Sequence, residues 1–193
     1  FMEQGEITRR LAAIVIADIV GYSRLMEQDE TGMLEHLRTL RHEFIDPKTT
    51  EHRGRIVKTM GDGYLAEFAS ITDAVQYGVE IQEAMLDRNA NVPEHNRIEF
   101  RIGINLGEII IEGDDIYGTG VNVAARLEAM AEPGGIRISG SVYDQIRSIL
   151  SFSYEDRGEE MVKNISTPIH SYSVAFGDMG NPSESVSAPA PPV

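Results

Sequence analysis

The stretch that decides the fold is Arg55-Ile-Val-Lys-Thr-Met-Gly-Asp-Gly-Tyr-Leu-Ala-Glu-Phe68, in which β-forming residues flank a Gly-Asp-Gly turn. This pattern predicts a β-hairpin over about 54–68, because glycine tolerates the positive φ that a tight turn requires. Asp62 then lies at the tip of the hairpin. The earlier apolar run Leu11–Ile19 is typical of a buried strand and also carries a carboxylate, Asp18, at its end. Two predicted strands therefore each place an acid at one end.

The remaining elements follow from periodicity and from helix start and stop signals. Residues 22–52 are predicted to be helical with a break near 29–30, and residues 70–89 form a second helix with Ser70 as its N-cap. Further along the chain, the pattern predicts strands at 97–106 and 108–112, a helix at 118–130, a strand at 136–138, a helix at 143–150, and strands near 152–156, 159–163 and 169–176.

The order of the first two-thirds is therefore β-α-β-β-α-β, the order of the ferredoxin-like split unit. We expect an α+β sandwich with this palm-like core and additional C-terminal strands and a helix. In this topology the third strand lies between the first two and is antiparallel to both. The end of the first strand then lies beside the start of the third, which brings Asp18 and Asp62 to one edge of the sheet.

Three segments differ in composition. Residues 1–10 are polar, and we expect them to be flexible; residues 11–176 form one folded domain. Residues 177–193 are rich in Pro and Ser, which predicts a linker or a disordered tail. We expect that a regulatory domain can follow residue 193.

Charge and composition exclude several functional classes. The 193 residues include 31 acidic and 17 basic side chains, for a net charge of −14. A nucleic-acid-binding surface would be basic, so no nucleic-acid partner is expected, and anionic membranes would repel the chain. The longest apolar run, 11–17, is too short to span a bilayer, so no membrane insertion is expected. The absence of cysteine fits a reducing compartment, and we expect a cytoplasmic location.

The paired carboxylates favour a metal site. Oxygen ligands on neighbouring strand ends suit two Mg²⁺ or Mn²⁺ ions, which complete their coordination with substrate phosphates. The glycine-containing turn through Gly21, Tyr22 and Ser23 enters a helix, whose free amide groups can hold phosphate. The alternative is that Asp18 caps the helix and Asp62 is only a turn residue. For either acid considered alone, this alternative is favoured. For the two acids considered together, the metal site is favoured.

Other polar residues leave two interpretations open. Asn122 and Arg126 lie on one helical face among small residues, where arginine could stabilise a phosphoryl group or simply be solvated. Lys58 and Asp115 offer the donor and acceptor that match the N1 and N6 positions of adenine, yet both could be ordinary surface charges. Lys163 is a candidate triphosphate ligand or a solvated lysine at a strand end.

Several of these segments together resemble the catalytic domain of class III nucleotidyl cyclases, in particular the bacterial adenylate cyclases. The matching segments are Ala17-Asp-Ile-Val-Gly-Tyr-Ser23, Lys58-Thr-Met-Gly-Asp-Gly-Tyr64, Phe100-Arg-Ile-Gly-Ile-Asn-Leu-Gly107, Asp115-Ile-Tyr-Gly-Thr-Gly-Val-Asn-Val-Ala-Ala-Arg126 and Val162-Lys-Asn-Ile165. They cover nearly all of the predicted folded domain, and several motifs in the same order are far more specific than any one of them.

The resemblance implies a role for each matching residue. Asp18 and Asp62 would be the metal-binding aspartates, together with the backbone carbonyl of Ile19. By the same resemblance, Lys58 and Asp115 would select adenine, Asn122 and Arg126 would position the ribose and stabilise the transition state, and Lys163 would contact the triphosphate.

The implied reaction converts ATP to 3′,5′-cyclic AMP and pyrophosphate at sites shared across a homodimer, with metal ligands from one subunit and base-reading residues from the other. Two alternatives within the same fold are a guanylate cyclase, which Lys58 and Asp115 disfavour, and a catalytically silent nucleotide-binding or dimerisation module. A diguanylate cyclase is disfavoured because its Gly-Gly-Asp/Glu-Glu-Phe turn is absent and Met60-Gly-Asp-Gly63 stands in its place.

Overall fold

The computed structural model describes residues 7–177, so residues 1–6 and nearly all of the predicted C-terminal tail lie outside the described residues. The strands are β1 (Thr8–Ile19), β2 (Gly54–Met60), β3 (Gly63–Phe68), β4 (Phe100–Glu112), β5 (Asp115–Tyr117), β6 (Ile136–Ser139), β7 (Ser153–Glu160) and β8 (Ile169–Ala175). The α-helices are α1 (Tyr22–Gln28), α2 (Glu30–Leu40), α3 (Asp46–Glu51), α4 (Ile71–Asn89), α5 (Thr119–Met130) and α6 (Gly140–Ile146).

The strands form one mixed sheet in the order β2-β3-β1-β4-β6-β8-β7, with β5 paired to β4. β3 lies between β2 and β1 and is antiparallel to both. This arrangement confirms the predicted α+β class and the ferredoxin-like core, and β6 to β8 extend the sheet beyond β4.

Alternate residues of β1 point into two different cores, as the period of a strand requires. Ala13, Val15 and Ala17 contribute to the larger core, which includes residues of α4 such as Val75. Ala12, Ile14 and Ile16 contribute to a smaller core on the opposite face, together with Ala124 of α5. Asp18 follows Ala12, Ile14 and Ile16 at two-residue spacing, so its side chain lies on the face of the sheet that packs against α5.

β1 is longer than the sequence predicted. It begins at Thr8 instead of Leu11, and residues 8–10 pair with Ile109–Ile111 of β4, so they are not part of a flexible N-terminus. Their polar side chains form ion pairs: Arg9 with Glu108 at 2.9 Å and Arg10 with Glu67 at 2.8 Å. Because backbone pairing with β4 holds these residues without apolar burial, hydrophobic patterning does not reveal the strand.

β4 is one continuous strand, so the prediction of separate strands at 97–106 and 108–112 was wrong. Gly107 looked like a break in the sequence but lies within the strand, against the backbone of Gly120 on α5. β5, for which no element was predicted, pairs with the end of β4. The structure therefore forms a β4–β5 hairpin that presents Asp115 on a strand.

Three further elements differ in detail from their predictions. α6 begins at Gly140 and ends at Ile146, earlier than the predicted 143–150. β7 is a single strand whose register shifts between Asp156 and Glu159, where two strands had been predicted. A π-helical turn at Arg41–Ile45 joins α2 to α3. The break before α2 and the Ser70 cap of α4 are confirmed, since the Ser70 hydroxyl accepts a hydrogen bond from the Asp73 amide.

Candidate active site

Asp18 and Asp62 lie side by side at the point where β1 ends and β3 begins. Asp18 pairs with Gly63 across β1 and β3, and Asp62 immediately precedes Gly63 in the turn. A Cβ atom at Gly63 would lie 2.3 Å from the Ala17 carbonyl and 3.0 Å from Asp18 Oδ1, so only glycine leaves room for this approach. The structure thus brings together the two carboxylates that topology had predicted to be neighbours.

The half-buried Asp18 carboxyl group has a pKa raised to about 6, from an ordinary value of 3.8. Burial is the largest cause, followed by the neighbouring Asp62 carboxylate, which lies within hydrogen-bonding reach and repels a second negative charge. The backbone of Ile19 and the charge of Arg101 oppose the shift. Two oxygen donors that repel each other are suited to a divalent cation.

Two charged residues that were not predicted as site residues also lie near the carboxylate pair. Arg101 on β4 is the direct cross-strand partner of Asp18. Glu128, at the end of α5, has a pKa raised to about 7, first by burial and then by the charge of Asp18. The sequence could have predicted the position of Glu128. This residue lies one helical turn after Ala124, which is buried, so both side chains face the sheet.

The segment after Asp18 leads into α1. This helix begins at Tyr22 after Gly21, whose φ is 65°, and no side chain caps it. The alternative that Asp18 caps this helix is therefore wrong. Ile19 and Tyr22 line a cavity of about 180 Å³ that reaches Asp62. Tyr22 accordingly shares a cavity with Asp62, and Gly21 and Ser23 flank it in the chain.

Lys58 and Asp115 form an ion pair, although they lie on different strands. Lys58 Nζ is 2.9 Å from Asp115 Oδ1, and both side chains are about one-third exposed. Asp115 Oδ1 also accepts a hydrogen bond of 2.8 Å from the Ile116 amide. The pKa of Asp115 is lowered, mainly by its hydrogen bond to Lys58 and then by Tyr117. The pair is thus an accessible donor and acceptor held next to each other.

Asn122 and Arg126 lie on α5, which packs very closely against β4. A Cβ atom at Gly103 would lie 2.3 Å from the Glu128 amide nitrogen and 2.4 Å from the Ala124 carbonyl oxygen. The buried Asn105 donates a 3.0 Å hydrogen bond to the Gly120 carbonyl at the start of the helix. These contacts fix α5, and with it the two polar residues, against the sheet.

Asn122 lines a cavity of about 440 Å³ between α5, the start of α6 and the segment before β8. Its other polar lining residues are mostly uncharged and include Thr119, Ser139, Ser141 and Asn164. Lys163 lies beside Asn164 in a turn between β7 and β8, not at a strand end as predicted, and its side chain is exposed. Lys163 therefore lies near this cavity and outside the sheet.

The predicted site residues line two different cavities of the described chain. Ile19, Tyr22 and Asp62 line one cavity, whereas Asn122 lines another. Asp62 and Asn122 therefore line different cavities within a single chain.

A second cluster of metal-ligating side chains consists of Glu51, His52 and Glu80. Lys48 lies among these side chains, with Nζ 2.9 Å from Glu51 and 3.0 Å from Glu80. The ammonium group already supplies a positive charge there, so the cluster is an ion-pair network between α3 and α4. No helix in the described part of the chain is long and apolar enough to cross a membrane.

Comparison with known proteins relates this geometry to a family. The profile described as "Adenylate and Guanylate cyclase catalytic domain" matches residues 8–175. A provisionally named adenylate cyclase of Rhizobium meliloti (strain 1021) is 41% identical over 191 residues, which are 99% of this chain and 32% of that relative. This chain spans about a third or less of the length of the first curated relatives that it matches.

Solved structures agree with this assignment. An adenylate/guanylate cyclase/hydrolase from Silicibacter pomeroyi superposes with a TM-score of 0.84 at 45% identity, over 89% of this chain and 100% of that one. The adenylyl cyclase CyaB from P. aeruginosa superposes with a TM-score of 0.77 at 25% identity, over 91% of this chain and 99% of that one. The chain belongs to the class III adenylate/guanylate cyclase catalytic domain family.

Proposed function

We propose that this domain is an adenylate cyclase, which converts ATP to 3′,5′-cyclic AMP and pyrophosphate, and that residues 8–176 form the catalytic unit. The observation that carries the choice of ATP is the 2.9 Å ion pair of Lys58 and Asp115. Lysine is only a donor and an ionised carboxylate only an acceptor. Adenine offers an acceptor at N1 and a donor at the N6 amine, so both of its atoms find a partner, whereas guanine presents the reverse order.

We further propose that Asp18, Asp62 and the backbone carbonyl of Ile19 hold two divalent cations, Mg²⁺ or Mn²⁺. Carboxylate oxygens are the ligands that these ions prefer. Burial and then repulsion by Asp62 raise the pKa of Asp18, and a cation would relieve this repulsion. When bound, the ions would make the ribose 3′-hydroxyl a better nucleophile and neutralise phosphate charge.

The protein groups would act mainly by positioning and electrostatics. In the reaction, the 3′-oxygen forms a bond to the α-phosphorus, the bond from this phosphorus to the β-phosphate bridge oxygen breaks, and the hydroxyl proton leaves to solvent. Asn122 would orient the ribose, and Arg126 would donate to the oxygens of the phosphoryl group in transfer. Lys163, Arg101 and the amides of residues 21–23 would hold the β- and γ-phosphates.

We propose that the site is shared between two copies of the chain. The cavity that contains Asp62 and the cavity that contains Asn122 are separate in one chain, which supports an arrangement in which each subunit supplies one half. A two-fold axis would then generate two equivalent sites.

A product assay tests the proposal. Protein at a concentration where sedimentation shows a dimer is incubated with ATP or GTP and Mg²⁺ or Mn²⁺, and cyclic nucleotide and pyrophosphate are measured. We expect cyclic AMP from ATP, and its loss in Asp62→Ala. Cyclic GMP as the main product would make the domain a guanylate cyclase, and no cyclic product from the dimer would identify a silent module.

A further inference from the structure

Tyr117 lies on the same side of β5 as Asp115, two residues along the strand. The intervening Ile116 is completely buried in the smaller core, so its two neighbours point away from that core. The side chain of Tyr117 remains 44% exposed although it is large and aromatic. Tyr117 therefore contributes little to the interior and stands beside the ion pair.

Tyr117 contacts both members of the ion pair. Its hydroxyl group lies close to the Asp115 carboxylate, which lowers the pKa of Asp115 and raises that of Tyr117. Lys58 Nζ lies over the tyrosine ring, 4.9 Å from its centroid, in a cation–π arrangement. One side chain thus contacts the donor through its ring and lies close to the acceptor through its hydroxyl group.

The position of each member matters for the choice of base. Adenine has an acceptor at N1 and a donor on C6, whereas guanine has a donor at N1 and an acceptor on C6. Both bases therefore offer one donor and one acceptor, in opposite order. If Lys58 and Asp115 could exchange places, the same two residues would bind guanine equally well, with lysine on O6 and aspartate on the N1 hydrogen.

Discrimination against guanine consequently requires something that prevents this exchange. The Ile116 amide restrains Asp115 through a 2.8 Å hydrogen bond but does not touch Lys58. Lys58 is a flexible four-carbon side chain that is about one-third exposed. The ring of Tyr117 supplies the restraint on Lys58, and its hydroxyl adds a second restraint on Asp115.

We propose that Tyr117 is a specificity-determining positioning residue that locks Lys58 and Asp115 in the order that adenine requires. This inference rests on the proposed function, because it concerns the base that the same site accepts. It adds a third residue to base selection, one that reads no base atom itself and acts through the other two.

The test is the ratio of kcat/KM for ATP to that for GTP in three proteins: the unaltered chain, Tyr117→Phe and Tyr117→Leu. Phenylalanine keeps the ring over Lys58 and removes the hydroxyl, so the ratio should fall by about threefold. Leucine removes both restraints, and the ratio should fall by about tenfold or more. Most of the change should be a gain for GTP relative to ATP, not an equal loss for both.

A purely structural role of Tyr117 would lower the melting temperature and both kcat values but leave the ratio unchanged. Tyr154→Phe is the matched control, because it removes a tyrosine hydroxyl that donates a 3.3 Å hydrogen bond to Leu150, remote from the ion pair. This control should keep the ratio of the unaltered chain.

The ratio of the dissociation constants for 3′-deoxy-ATP and 3′-deoxy-GTP, which cannot cyclise, gives the same information without turnover. A shift of both ratios toward guanine in Tyr117→Leu supports the inference. If the unaltered chain prefers adenine and the ratio of Tyr117→Leu lies within twofold of the unaltered ratio, the inference is overturned and the proposed function remains intact. Failure of the proposed function would instead appear in the unaltered chain as no cyclic AMP from ATP.

Discussion

Asp18 and Asp62 place their carboxyl groups within hydrogen-bonding reach of each other, although a helical segment and the β2 strand separate them in the sequence. The register that pairs Asp18 with Gly63 creates this contact. Burial and the neighbouring charge together raise the pKa of Asp18 to about 6. The domain therefore keeps an electrostatically unfavourable pair at the point where we propose that cations bind, an arrangement that would favour function over stability.

The first prediction concerns metal binding and pH. The folded state has the higher pKa for Asp18, so it binds the proton more tightly than the unfolded chain. This contribution to stability is complete below about pH 4 and is lost as the pH rises to about 6. Because a cation must displace this proton, the apparent affinity for Mn²⁺ should rise about tenfold from pH 5 to pH 7.5, as measured by calorimetry.

The Asp18→Asn variant checks the same account. It should raise the melting temperature of the metal-free protein at pH 7.5 and abolish the further increase that Mn²⁺ gives. The measurement is best made in a Glu128→Gln background, because the pKa of Glu128 is also raised, to about 7. Asp87→Asn, at an exposed position near the end of α4, should change neither value. A lower melting temperature in Asp18→Asn would contradict the unfavourable pairing.

The second prediction concerns the base. The double variant Lys58→Glu/Asp115→Asn places an acceptor where adenine offers an acceptor and adds a donor, the asparagine amide, which can bind the O6 acceptor of guanine. Its kcat/KM for ATP should fall by about a hundredfold or more, while GTP should be affected less or should improve. Arg88→Glu reverses a charge on α4, away from the site, and serves as the control. Equal losses for the two nucleotides would show that the pair does not read the base.

The third prediction concerns the support of α5. Gly103→Ala introduces a methyl group about 2.3 Å from the Glu128 amide, so the helix must move away from β4. We expect a loss of roughly 1–3 kcal/mol in the free energy of unfolding and a larger relative loss of kcat, because α5 carries Asn122 and Arg126.

Gly78→Ala, on α4, is the matched control for Gly103→Ala. Its new methyl group would meet the flexible Cδ1 of Ile104 at 3.1 Å, and alanine favours the helix by about 1 kcal/mol. Its stability and activity should therefore stay close to those of the unaltered chain. If both substitutions behave alike in denaturant unfolding and in the product assay, the close contact of α5 with β4 is not what positions the site.

The sequence predicted the parts of the site that follow from local pattern and topology. The hairpin and the β-α-β-β-α-β order were sufficient to bring Asp18 beside Asp62, since the palm topology leaves one position for the third strand. The residues that were missed depend on tertiary contacts. Tyr117 was overlooked because β5 is only three residues long and was not predicted as a strand, and Arg101 because its importance follows from strand register.

Errors in the boundaries have similar causes. Gly107 is a turn residue in most patterns, yet here it allows α5 to approach β4, so the strand continues through it. Thr8 to Arg10 contain no apolar residue, and their strand pairs with β4 through the backbone, while Arg9 and Arg10 form ion pairs with Glu108 and Glu67. A pattern of hydrophobicity contains neither kind of contact.

The central claim is that two chains share each ATP-cyclising site, and mixing two inactive variants tests it most directly. Asp62→Ala and Arg126→Ala should each lose at least about a hundredfold in cyclic AMP production. After the two are unfolded and refolded together in equal amounts, half of the dimers are heterodimers with one intact site, so about a quarter of the original activity should return. No recovery, with heterodimers confirmed by differential tagging, would contradict the shared site.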